Sequence, residues 1–262
     1  MKHSRRRGLT FIEVVIAGAI LSAIMLVTLG IMVRVSNDAQ TARVDDFNGL
    51  KAQELLSRVR REIEFAKLKE ILNNHTTLRF QIPVDHDGDL DVTDSSGATE
   101  FGYFDIASKP TLNATCELTI DVQNVLRETN GPSLGLGVPE DVYALDLNHD
   151  GDRNDVFVQA RLKMQILDAG GVATFVAFID GGLLIAPKPS ALTEYDGDVD
   201  GDGVNDPLFM VADFSGGEVL NANFSQAARR VTIRTFHGGF TADGAYFMLR
   251  KDVDLIRLDQ KQ

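Results

Sequence analysis

The sequence predicts an α+β fold: a long N-terminal helix, transmembrane in its first half and amphipathic in its second, packed on a mostly antiparallel β-sheet head with Asp-rich loops. Three observations predict it. Residues 14 to 33 form an unbroken apolar run of twenty, apolar residues then recur at helical spacing to Ala66, and from Thr77 onward short alternating segments are separated by turn residues.

As a helix, the run from Val14 to Val33 is about 30 Å long, the thickness of a bilayer's hydrocarbon core. Lys2, Arg5, Arg6 and Arg7 precede it, so the positive-inside rule keeps the short N-terminus in the cytoplasm and sends everything after Val33 across. A secretory signal peptide has a shorter apolar core followed by a small-x-small cleavage site. Here the small residue, Gly8, comes before the run, and cleavage there leaves the hydrophobic helix on the mature protein. Glu13 stands at the start of the apolar stretch, where a lone charge costs about 2.5–3.5 kcal/mol. Such a residue calls for a partner. Gly30, inside the run, costs a helix about 1 kcal/mol relative to alanine.

From Arg34 to Ala66 the helix continues, with Val44, Phe47, Leu55, Leu56, Val59, Ile63 and Ala66 on its apolar face and Glu54, Arg58, Arg61, Glu62 and Glu64 on the other. No proline occurs before Pro83. The segment through Ile71 and Leu72, the turn-like Asn73-Asn74, and the alternating Thr77 to Ile82 then read as a hairpin. Further strands are expected at Glu100 to Phe104, Cys116 to Val122, Val156 to Ile166, Val172 to Ile179, Val231 to Phe236 and Tyr246 to Leu258.

Composition removes several function classes. The formal net charge is −12 although four basic residues crowd the first eight positions, a balance that disfavours a nucleic-acid-binding surface. Cys116 is the only cysteine, which excludes an intramolecular disulfide and a Cys-rich zinc site. His75, His86, His149 and His237 are scattered without zinc spacing, and Gly131 to Gly137 lacks the lysine of a phosphate-binding loop.

Acidic residues are concentrated in three loops. Residues 85–94, 146–155 and 196–206 hold fourteen aspartates. Calcium takes six to eight oxygen ligands, and a tight loop with Asp or Asn at alternate positions and glycine at the sixth wraps them round one ion. Asp146, Asn148, Asp150 and Gly151 fit that order, with Asp152 between and Asn154 ninth. Asp198, Asp200, Asp202 and Gly203 fit it too, with Asp206 ninth and Asp196 just before. Asp85, Asp87 and Asp89 form the poorest register, because Leu90 stands where glycine belongs. None is an EF-hand: Phe157 and Phe209 occupy the place of the bidentate glutamate in the second and third loops. The loops are similar to the looser Asp-x-Asp-x-Asp-Gly loops of dockerin and thrombospondin type 3 repeats. Solvated turns rich in Asp and Gly are the competing reading; bound calcium with a structural role is the expectation.

The segment Arg6-Arg7-Gly8-Leu9-Thr10-Phe11-Ile12-Glu13 resembles the processing site of the type IV pilin and type II secretion pseudopilin family, with Leu9 in place of the commoner phenylalanine and Phe11 in place of leucine. The resemblance implies that a prepilin peptidase cuts after Gly8 and methylates the new amino terminus at Leu9. It implies that Glu13 pairs with the terminal amine of a neighbouring subunit. The organisation it implies is a leader at 1–8, a transmembrane and assembly half of the helix at 9–33, an amphipathic half at 34–68 and an extracytoplasmic β-rich head at 69–262.

The helix end, residues 55 to 63, and the run Arg229-Arg230-Val231-Thr232-Ile233-Arg234 are similar to J-type minor pseudopilins and PilW-like minor pilins. A minor subunit with a priming, tip or secretion role is therefore expected, with a major filament subunit as the alternative. Its partners would be other pilin or pseudopilin subunits, prepilin peptidase and the inner-membrane assembly platform. Its place would be the inner membrane as a single-pass protein with a periplasmic head, then the pilus or pseudopilus.

An enzyme is not expected. Val84 to Leu90 resembles the Asp-x-Asp-Gly-Thr loop of haloacid-dehalogenase-type phosphatases, but Asp89 replaces the threonine. That fold also needs alternating strands and helices, and residues 73 to 262 offer few convincing helices, so a membrane-anchored phosphatase is the remote alternative.

Overall fold

The helical periodicity resolves into α1 (Phe11–Ile63), 53 residues long, in the computed structural model, which describes residues 11–105, 107–213, 215, 217–218, 230–240 and 244–256. Gly8, Leu9 and the basic leader lie outside the described residues, as do Arg229 and the end of the last expected strand at 257–258. The chain divides into two compact units, one containing α1 to Val44 and residues 240–245, the other the rest from Asp45.

In the first unit, Phe11–Ala39 is long and apolar enough to cross a membrane, and none of it is buried. A signal sequence meets the same criteria of length and composition. Its two hydroxyl side chains in the apolar run are satisfied within the helix: Ser22 donates to the Gly18 carbonyl at 2.9 Å and Thr28 to the Ile24 carbonyl at 2.8 Å. That is the local solution available where water is excluded. The helix runs through Gly30 without a break.

In the second unit, α1 buries Ala52, Leu55, Leu56, Val59 and Ile63 against the sheet, the i, i+3, i+4, i+7 stripe of a half-buried helix. Phe47, expected on this face, is instead 56% exposed beneath the Lys51 ammonium, 4.7 Å from its ring centroid. Arg60 and Arg61 complete the last turn, where cations oppose the helix dipole. The helix stops at Ile63, short of the expected boundary at 68, because Lys67 and Leu68 are already paired with Gln81 and Phe80 in a sheet.

Eleven strands follow among the described residues: β1 (Lys67–Leu72), β2 (Thr77–Pro83), β3 (Phe101–Phe104), β4 (Pro110–Leu112), β5 (Thr115–Glu128), β6 (Glu140–Tyr143), β7 (Val156–Leu167), β8 (Ala173–Ile185), β9 (Phe209–Ala212), β10 (Arg230–Phe240) and β11 (Tyr246–Ile256). The main order is β11-β10-β8-β7-β5-β2-β3-β4, with β1 on β2, β9 on β10 and β6 on β5. The registers given by residue pairs are antiparallel apart from β5 with β6. Strands β4, β6 and β9 occupy stretches not expected to pair. Strand β5 runs to Glu128, well past Val122, although its second half mixes polar and apolar residues.

Each face of the sheet has its own apolar cluster. Cys116, Leu118, Leu162, Met164, Ile179 and Ile233 pack with α1. Residues of opposite parity, Phe157, Leu184 and Phe236, form a second cluster with Leu147, Val199 and Tyr246. Leu147 and Val199 come from the second and third Asp-rich loops, so these loops are pinned to the sheet by their own apolar side chains. Where α1 meets the sheet, the buried Tyr103 hydroxyl donates to Glu62 at 2.5 Å, and burial pushes both Tyr103 and the neighbouring Cys116 thiol upward.

Candidate cation-binding loops

The three acidic loops share one hydrogen-bond pattern. In each, the first aspartate accepts the N–H of the residues three and five positions on. Asp85 accepts from Gly88 at 2.6 Å and Leu90 at 3.0 Å; Asp146 from His149 at 2.6 Å and Gly151 at 2.9 Å; Asp198 from Gly201 at 2.7 Å and Gly203 at 2.6 Å. The residue at the sixth place has a positive φ in all three, at 69° for Leu90, 99° for Gly151 and 83° for Gly203. Glycine adopts this freely, whereas a leucine there costs about 1–2 kcal/mol. The first loop has the same turn despite Leu90, whose side chain is 96% exposed.

Carboxylate oxygens converge in each loop, but the sets differ from those expected. In the first loop Asp85, Asp87 and Asp89 each place an oxygen within 4.8 Å of the others, as the spacing implied. In the third, Asp198, Asp200 and Asp206 do so, without Asp196 and Asp202. Asp196 is buried and spent elsewhere: it meets Lys188 Nζ at 2.8 Å and His75 Nδ1 at 3.2 Å, while His75 Nε2 lies 2.8 Å from Glu218. Asp202 accepts from the Val204 N–H at 2.8 Å.

In the second loop the converging carboxylates are Asp152, Asp155 and Glu128, two of which sequence spacing missed. Asp146 and Asp150 are not in that trio. Glu128 comes from the end of β5 and is fully buried; one oxygen accepts from the Leu147 N–H at 2.5 Å and the other from the Asp155 N–H at 3.0 Å. It therefore holds both ends of the loop. Asn148, Asp150, Asp152, Asn154 and Asp155 line a cleft of about 430 Å³ that also reaches Asp198. Loops two and three touch: a Cβ on Gly201 would stand 2.8 Å from the Asp150 Cβ.

Electrostatics separates the loops. Loop three has counter-charges from the protein itself, with Arg234 at 2.7 Å from Asp206 and Arg250 at 3.2 Å from Asp200, although burial first and then Asp200 still push the Asp206 carboxyl upward. Loop two has no ion pair to a lysine or arginine among the described residues. The consequence is seen in Asp155, whose carboxyl is pushed up to about 7 by burial and by Asp150, Glu128 and Asp152, with Asn148 opposing the shift. Glu128 is pushed up for the same reasons, burial first, against the two N–H donors it accepts. Aspartate, glutamate and asparagine oxygens without thiol or imidazole suit a hard divalent cation such as calcium or magnesium.

Compared with known proteins, the chain matches no family model, no curated protein and no solved structure.

Proposed function

We propose that this chain is a structural subunit of a type IV pilin-like filament or a type II secretion pseudopilus, a minor component with a priming, tip or secretion role, whose head is ordered by calcium. The observation that carries the reading is the division of labour along α1. Its first 29 described residues are unburied and contain the apolar run from Val14 to Val33, while Leu55, Val59 and Ile63 further along are core residues of a β-sheet head. A helix that is apolar all round calls for lipid or other helices. The architecture, a long N-terminal apolar helix followed by an antiparallel sheet, is consistent with pilin-like proteins.

In this reading prepilin peptidase cuts after Gly8 and methylates Leu9. Glu13, in the first turn of α1, then meets the new amine of a neighbouring subunit as the chain leaves the inner-membrane platform, its head on the periplasmic side. Glu128, Asp152 and Asp155 would hold the calcium ion of loop two, with Asp85, Asp87 and Asp89 in loop one and Asp198, Asp200 and Asp206 in loop three as further sites. The ion would supply the positive charge that loop two lacks, and would fix the connection from β6 to β7.

The deciding experiment is intact-mass analysis of the native protein from a strain able to build pili. A chain starting at N-methylated Leu9 is expected, and Glu13→Leu should leave it membrane-bound but absent from sheared filaments. Recovery with Met1 to Gly8 in place, or with the apolar helix removed, would overturn the proposal.

A further inference from the structure

The β7–β8 hairpin presents different chemistry on its two faces. Towards α1 it contributes Leu162, Met164, Ile166 and Ile179 to the core. On the opposite face β7 places Arg161, Lys163 and Gln165, beside Asp121, Thr119 and Glu117 of β5. Strict alternation along β8 would send Phe175 and Phe178 to opposite faces. The register shifts instead: Met164 pairs with Ala177 and Gln165 with Phe175, leaving Val176 as an extra residue. This bulge brings both phenylalanines to the polar face, with ring centroids 4.7 Å apart.

The result is an apolar patch on a face that is otherwise polar. Phe175 is 49% exposed, Phe178 37%, Val172 64% and Val176 37%. The Arg161 guanidinium lies 3.3 Å from the Phe178 ring centroid and is held by Asp121 at 2.9 Å. Lys163 sits between Thr119 and Phe178, and among the described residues no carboxylate lies within ion-pair distance of it. Along Ala173–Ile179 β8 pairs with β7; β10 joins β8 at Leu183 and Leu184.

We infer that this face docks a partner polypeptide segment that combines apolar side chains with a carboxylate. Its apolar groups seat on Phe175, Phe178 and Val176, and its carboxylate meets Lys163. Exposed aromatic residues beside an arginine have the composition of interface anchors, and Lys163, unpaired with any carboxylate among the described residues, selects the charge of what covers them. An anionic bilayer fits less well, because attraction to anionic lipid takes a cluster of basic residues, whereas Arg79 and Arg161 on this face are already paired with Glu117 and Asp121. The inference does not depend on the identity of the filament.

The test uses the full-length chain in its own membrane, with the photo-crosslinking residue p-benzoylphenylalanine at position 175 and, as a control, at the exposed Val204. The expected result is a polypeptide adduct specific to position 175, joined within about four residues of an Asp or Glu on the partner. Lys163→Glu should lower its yield about fivefold or more, Lys163→Gln less, and reversing the partner's acid to lysine should restore it. Absence of an adduct, an adduct with lipid or with a second copy alone, or a yield indifferent to Lys163→Glu would each overturn the inference.

Discussion

Calcium should stabilise this protein more as pH rises, and Asp155 should be the reason. Its carboxyl is raised to about 7 from an ordinary value of 3.8, so the folded state holds that proton more tightly than the unfolded chain. The sign follows: without a divalent ion this group favours folding fully below about pH 4, and its contribution is lost as pH climbs to about 7. Asp155 is half-buried, so solvent screening reduces the effect to about 1–2 kcal/mol. An ion bound by Glu128, Asp152 and Asp155 displaces the proton and removes the penalty. At about 5 mM calcium, a site with the 10⁻⁴–10⁻³ M affinity of extracellular modules stabilises by about 1–2 kcal/mol, or about 2–9 °C in Tm. The assay is thermal unfolding of the full chain in detergent with and without calcium, between about pH 5 and 8. Asp155→Asn should raise stability at neutral pH without calcium and shrink the response to it. A calcium shift that is absent, independent of pH, or unchanged in Asp155→Asn would refute the reasoning.

Three further outcomes follow from packing and charge. Leu55→Ala removes a fully buried side chain where α1 meets the sheet and should cost about 2–5 kcal/mol in denaturant unfolding. Gly30→Ala, with open space around its Cβ, should leave stability unchanged or raise it by up to about 1 kcal/mol, whereas Gly102→Ala drives a Cβ to 2.1 Å from the Thr111 carbonyl oxygen and should lower Tm measurably. Arg234→Met strips Asp206 of its cation while leaving that carboxylate buried, a loss of about 3–5 kcal/mol. Added calcium should recover part of it, and Arg234→Met combined with Asp206→Asn should recover part of it without calcium, read as Tm differences.

The helix and the outline of the sheet were legible because they rest on local periodicity. The apolar run and the spacing of Leu55, Leu56, Val59 and Ile63 specify α1 with no reference to the rest of the chain, and Val156 to Ile166 alternates almost without fault. What escaped depends on partners distant in sequence. The half of β5 beyond Val122 is a strand because Asn124 and Arg127 lie opposite Gln159 and Val156 of β7. Strand β6 is a parallel appendage of that same half. Phe47 matched the helical period yet lies beyond the last turn that the sheet covers. In the loops, alternation of aspartates picks out two sets whose oxygens the fold brings within 4.8 Å of one another, Asp85 with Asp87 and Asp89, and Asp198 with Asp200 and Asp206. It could not find Glu128, which is 18 residues before the loop it closes and betrays itself only by being a fully buried acid at a strand end.

The three loops are one turn repeated under three electrostatic conditions, and that difference assigns them different roles. Loop three has counter-charges in Arg234 and Arg250, both carried by sheet strands, which leave it less in need of an ion. Loop one is exposed, and water screens its carboxylates. Loop two has neither remedy: Glu128 is buried beneath it, Leu147 anchors it to the second apolar cluster, and Asp155 is partly withdrawn from solvent. A protein that uses arginine to neutralise one of two touching loops and leaves the other uncompensated has left the second dependent on its surroundings. In the proposed reading the proton that Asp155 holds up to about pH 7, or a divalent cation that displaces it, would decide how tightly β6 and β7 are joined.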